Sequence, residues 1–148
     1  MTEAEKTLRQ AIIDQCRWMN ASGLNQGTAG NISARCDDGM LVTPSGMDYA
    51  ELEPVDIVFI DFEGQPEGRR RPSSEWRFHL DIYRNRNDAQ AVVHAHPPFS
   101  TTLACLRRPI PAFHYMVAVA GGGDIRCSGY ETPGTQALSD RVIEALED

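Results

Sequence analysis

Ala91-Val92-Val93-His94-Ala95-His96-Pro97-Pro98 joins a short apolar run to two histidines spaced two residues apart and stops at a proline pair. Apolar, β-prone residues bounded by prolines predict the end of a buried strand. Side chains at i and i+2 of a strand leave the same face, so both imidazoles aim at one point. A divalent metal is the commonest chemistry that calls for such a pair, and two strand-end histidines making ordinary hydrogen bonds is the plain alternative. A catalytic zinc takes three protein ligands and leaves its fourth position to water or substrate. The pair therefore asks for a third ligand elsewhere.

The flanking segments supply the frame. Ser73-Ser74-Glu75 predicts the cap of a helix running to about Arg86, with Trp76, Leu80 and Tyr83 on one face. Before it, Ile57–Asp61 reads as a strand, and Asp37-Asp38-Gly39 reads as a hairpin turn between Ile32–Arg35 and Met40–Thr43. Pro44-Ser45-Gly46 is a second tight loop. Leu8, Ile12, Ile13, Cys16 and Met19 recur at helical spacing from Glu3 to about Asn20. After the histidines come a short helix, Ser100 to Leu106, a strand through Met116–Val119, a Gly121-Gly122-Gly123 turn and an amphipathic helix over Gly134–Leu146. This irregular alternation with early hairpins favours an α/β fold of helices on a mixed, largely antiparallel sheet over regular βαβ units.

A chain of 148 residues, 41% apolar and 24% charged, has the size and composition of one ordinary globular domain, residues 1–148. The net charge of −7 argues against nucleic acid as a partner, since a phosphate backbone is bound through clustered Lys and Arg. A small anion needs only a local patch of donors and stays open. Cys16, Cys36, Cys105 and Cys127 show no CxxC pair, which fits reduced thiols in a cytoplasmic protein. The polar, acidic N-terminus does not read as a signal peptide, and no apolar run reaches membrane-span length.

Three small polar clusters accompany the histidines: Thr28-Ala29-Gly30-Asn31, Thr43-Pro44-Ser45-Gly46 and Ser73-Ser74. Each offers hydroxyls and backbone N–H groups where the chain can approach an anion, and Ser73-Ser74 has a helix N-terminus as well. Taken singly, each is a turn or a cap. Glu75 reads either as a first-turn acid favoured by the helix dipole or as an acid/base group beside a metal. His79, one turn on, reads as a buried, hydrogen-bonded histidine or as a ligand. Arg69-Arg70-Arg71 reads as solvated, and Tyr115, at the start of a strand, as a packed phenol or a proton donor to an aldehyde.

Together, Asn25–Ser33, Thr43–Gly46, Pro72–Trp76, Val93–His96 and His114–Met116 resemble, in order, the motifs of the class II aldolase/adducin family, and the likeness runs from about Leu8 to Glu147. The resemblance implies a three-layer α/β/α sandwich and a zinc-dependent cleavage of a ketose 1-phosphate, of the L-fuculose type, to dihydroxyacetone phosphate and an aldehyde, L-lactaldehyde. It implies that Gly30, Asn31, Ser45, Gly46, Ser73 and Ser74 hold the phosphate and that His94 and His96 bind zinc. Glu75 would occupy the resting metal and then move off to shuttle a proton. Tyr115 would serve the aldehyde half, across a subunit boundary of a homotetramer. The family's third zinc histidine lies beyond the helix corresponding to Gly134–Leu146, so a C-terminally truncated member with weak zinc binding and poor turnover is expected. Pro133 stands where the fuculose-phosphate enzymes have an aromatic. The same resemblance leaves a 4-epimerase, a dehydratase and a non-catalytic adducin-like module as alternatives.

Overall fold

Alternation along one strand separates the two faces of the molecule. The structure, a computed structural model, describes residues 1–147. Its elements are α1 (Glu3–Ala21), β1 (Asn31–Cys36), β2 (Gly39–Val42), β3 (Val58–Asp61), β4 (Pro66–Glu67), α2 (Trp76–Asn85), β5 (Ala91–His94), α3 (Pro98–Cys105), α4 (Met116–Val119) and α5 (Gln136–Leu146). In β1, Ile32 and Ala34 face α1, and Asn31 and Ser33 face α2. The sheet order is β4-β3-β2-β1-β5. All four pairings are antiparallel, with Asn31 opposite His94 and Ser33 opposite Val42 and Val92.

One core lies between α1 and the sheet, where Ile12, Ile13, Cys16 and Met19 meet Ile32, Ala34 and Leu41. The other joins Met40, Val42, Val58 and Ile60 to Leu80 and Tyr83 of α2. Behind α2 lies α5, held by Asp81, whose carboxylate accepts from Ser139 and Gln136. The three-layer α/β/α arrangement is thus present. Arg69 and Arg70 are not simply solvated. Both bind Asp56, which is 2% exposed and also accepts from the Glu53 N–H.

Two expectations need correction. Met116–Val119 is one turn of helix rather than a strand: the Val117, Ala118 and Ala120 N–H groups bond three residues back, and only Val117 is buried. A four-residue apolar run carries no period that tells the two apart. β5 is an edge rather than a buried strand among the described residues, with Ala91 and Val93 exposed.

The β1 face toward α2 carries a polar thread through the core. The Ser33 hydroxyl lies 2.7 Å from His79 Nδ1 and 2.8 Å from the Tyr83 hydroxyl, and all three residues are buried. Burial pushes His79 from its ordinary 6.5 down to about 3 and the Tyr83 phenol up to about 12. An unfolded histidine gains a proton below about 6.5 and the folded one does not, so this contribution is complete above that pH and lost on acidification. Urea unfolding between pH 7 and pH 5 is expected to show stability falling by up to ~1.4 kcal/mol per pH unit, and the slope is expected to flatten in His79→Gln. Equal slopes in both proteins would remove His79 from this account.

Gly39 tests the strand register. A Cβ there would lie 2.1 Å from the Ile60 carbonyl oxygen and 2.8 Å from Asp61 Cα, backbone atoms of the neighbouring strand. Gly39→Ala is expected to destabilise by roughly 2–4 kcal/mol in urea unfolding, because β2 and β3 must separate to admit the methyl.

Candidate functional site

The polar clusters met separately in the sequence are drawn together by backbone pairing. Thr43 exchanges bonds with Ile32, its N–H donating to the Ile32 carbonyl at 3.1 Å and its hydroxyl accepting from the Ile32 N–H at 3.3 Å. An isolated bridge pairs Pro44 with Pro72, the Ser73 N–H donates to Thr43 O at 2.9 Å, and the Ser45 N–H donates to Arg71 O at 3.0 Å. Ser45-Gly46 is thereby laid against Ser73-Ser74 at the start of α2. Gly46 adopts φ +71°, a turn conformation that favours glycine. Ser73 is buried and its hydroxyl accepts from the Glu75 N–H; Ser45 and Ser74 are exposed, and neither hydroxyl has a partner among the described residues.

The Thr28–Asn31 loop closes on the histidine strand. A Cβ on Gly30 would lie 2.6 Å from the His94 carbonyl oxygen, so this approach requires glycine. Two buried residues that the sequence reading left without a role fix the loop. Asn25 donates to Ala29 O and accepts from the His96 N–H, and the Tyr49 hydroxyl donates to Gly30 O at 2.7 Å. No local signal marks either one, because their partners are set by the tertiary fold.

Glu75 is the N-cap of α2, yet its side chain does not cap the helix. It turns to the sheet, where Oε2 accepts from Asn31 Nδ2 at 3.0 Å and lies 3.2 Å from His94 Nδ1. Glu75 is 18% exposed and His94 25%. The His94 imidazole, and then Asn31, hold the Glu75 carboxyl below the usual range, so it is ionised at neutral pH. The His94–Glu75 approach has the distance of an ion pair without the alignment of a hydrogen bond, and buried Nδ1 has no hydrogen-bond partner. His96 stands beside it, ring centroids 4.8 Å apart, and Phe78 packs edge-on against His94 at 5.4 Å.

Two imidazoles, a carboxylate and an orphaned buried nitrogen are the donor chemistry of a divalent-metal site. The three side chains are neighbours without converging: among the described residues no group of three His, Cys, Asp or Glu is arranged to hold a metal. His79 takes its plain reading, with Nε2 on Asn31 Oδ1 and Nδ1 on Ser33. Asn31 thus spends both side-chain atoms on Glu75 and His79, while its backbone pairs with His94 in the sheet. Tyr115 is 76% exposed, its ring tilted against that of His114 at 4.4 Å, and among the described residues it makes no hydrogen bond or ring contact with Glu75, His94 or His96.

Comparison with known proteins places the sequence and the fold as a whole. A 5-methylthioribulose-1-phosphate/5-deoxyribulose-1-phosphate aldolase of Rhodospirillum rubrum is 61% identical over 95% of this chain and 63% of its own length. An L-fuculose phosphate aldolase of Escherichia coli K12 is 53% identical over 99% of this chain and 67% of its own. The chain therefore spans a little under two thirds of the first relative and about two thirds of the second. A solved L-fuculose 1-phosphate aldolase superposes with a TM-score of 0.91 at 43% identity, over 95% of this chain and 67% of that one. Residues 10–148 match the family described as Class II Aldolase and Adducin N-terminal domain, and the chain belongs to that family.

Proposed function

We propose that this chain carries out a zinc-dependent retro-aldol cleavage of a ketose 1-phosphate to dihydroxyacetone phosphate and a small aldehyde. The observation that carries this reading is the Glu75 carboxylate, ionised and fixed between Asn31 and His94 beside two loops with unpartnered hydroxyls. Gly30, Asn31, Ser45, Gly46, Ser73 and Ser74 are the phosphate side of the site. Ser45 and Ser74 offer hydroxyl donors, and the N-terminus of α2 adds a favourable field for a dianion. His94, His96 and Glu75 are the residues that would hold zinc. As a Lewis acid, bound zinc would supply positive charge toward the negative charge that develops on the ketose oxygens.

Glu75 is the proton carrier at C3. In the cleavage direction the ionised Glu75 carboxylate takes up the C4 hydroxyl proton, the C3–C4 bond breaks, its electron pair stays with the three-carbon phosphate, and Glu75 delivers that proton to C3. Tyr115 serves the aldehyde oxygen, and its exposure, 76%, fits delivery across a subunit boundary of a homotetramer. The relative at 61% identity is named for 5-deoxy and 5-methylthio pentulose phosphates, and this supports those ketoses ahead of L-fuculose 1-phosphate. The aldehyde is then acetaldehyde or its methylthio derivative rather than L-lactaldehyde. The four free cysteines fit a reducing, cytoplasmic setting.

The test is release of dihydroxyacetone phosphate by the zinc-loaded chain from 5-deoxyribulose, 5-methylthioribulose and L-fuculose 1-phosphates. Release is expected, fastest from the pentuloses; consumption of ketose without dihydroxyacetone phosphate would mean another reaction. Glu75→Gln is expected to lower kcat by roughly 10²–10⁴-fold with little change in KM. Ser45→Ala and Ser74→Ala are each expected to raise KM about tenfold, the size of one hydrogen bond to a charged group.

A further inference from the structure

The polar thread through the core ends at Glu75, and its polarity can be assigned link by link. An ionised carboxylate only accepts, so the Asn31 group 3.0 Å from Glu75 Oε2 is the amide nitrogen. Asn31 Oδ1 then faces His79 Nε2 and needs a donor there, which places the ring proton on Nε2. His79 Nδ1 is left with a lone pair and accepts from the Ser33 hydroxyl at 2.7 Å. Ser33 in turn accepts from the Tyr83 hydroxyl at 2.8 Å. Asn31 is 4% exposed, Ser33 and His79 are 0%, and Tyr83 is 1%, so bulk water replaces none of these partners.

From this we infer that His79, held in a single tautomer by Ser33, is a positioning residue that fixes the Asn31 amide and, through it, aims the Glu75 carboxylate at His94. The inference rests on the reading of Glu75 given above. A purely structural network would tolerate either polarity, provided that every group were paired. Here one direction alone works: moving the His79 ring proton from Nε2 to Nδ1 turns the Asn31 amide over and presents its carbonyl oxygen to the carboxylate. Glu75 then loses the one side-chain donor that it has from the sheet among the described residues and is released from the place where it meets His94. Among the described residues assigned to phosphate or metal, His79 hydrogen-bonds Asn31 alone, so its effect passes through Asn31.

Two measurements test this. Nitrogen-edited imidazole spectra of the unloaded chain are expected to show His79 neutral and protonated on Nε2 at pH 7; a proton on Nδ1, or on both nitrogens, overturns the proposal. Zn2+ affinity by calorimetry and kcat for dihydroxyacetone phosphate release are expected to fall about 10–100-fold in Ser33→Ala and His79→Leu, with KM little changed. His79→Gln, which keeps an N–H toward Asn31, is expected to restore both to within about threefold of the parent chain. Folded Ser33→Ala and His79→Leu proteins with parental Zn2+ affinity and kcat overturn the positioning role. Glu75→Gln separates this from the underlying reading. If Glu75→Gln changes neither quantity, the reading of Glu75 fails and takes the positioning role with it; if only Glu75→Gln has an effect, the positioning role alone fails.

Discussion

The hydrogen bond from Asn31 to Glu75 joins the first residue of β1 to the cap of α2, and the candidate site depends on it. Asn31 is opposite His94 in the sheet, so the same bond sets the distance between the helix start and the histidine strand. Glu75 forgoes the helix dipole for a partner on the sheet, an exchange that a buried amide and a nearby imidazole make favourable. A hydrogen bond between a neutral amide and a carboxylate is stronger than a neutral pair, and its loss here would leave both groups poorly solvated.

Packing and polarity cooperate along β1. Its Ile32 and Ala34 side is sealed by α1, and its Asn31 and Ser33 side is read by α2, so one six-residue strand belongs to a core and to a site. Thr43 adds the second tie, pairing with Ile32 and receiving Ser73, and so locks the serine loops to the same strand. Asn25 and Tyr49 hold the glycine loop against His94 and His96 from the other side. The result is a polar rim at one end of the sheet where Ser45 and Ser74 are exposed and Thr43 and Ser73 are buried.

Much of this was legible from local rules. Helical spacing found α1, α2 and α5 to within a few residues; the two histidine rings lie side by side, although β5 ends at His94 and His96 follows it, so strand alternation is not what pairs them. The family resemblance, carried by five ordered motifs, gave the layered architecture that the sheet and its two helical faces display. What escaped was whatever depended on distant partners. Asn25 binds the backbone of His96, 71 residues away, and no composition or period encodes that. Arg69 and Arg70 looked like solvated loop charges because Asp56 lies in a different segment. Met116–Val119 was misread because four apolar residues have no measurable period, and only one side of the turn finds a core.

Coupling between Asn31 and Glu75 holds the candidate site together, and a double-mutant cycle measures it directly. Asn31→Ala, Glu75→Ala and the double variant, compared with the parent chain by urea unfolding at pH 7, are predicted to give a coupling energy of about 1–3 kcal/mol. Additive effects, with coupling near zero, would contradict it.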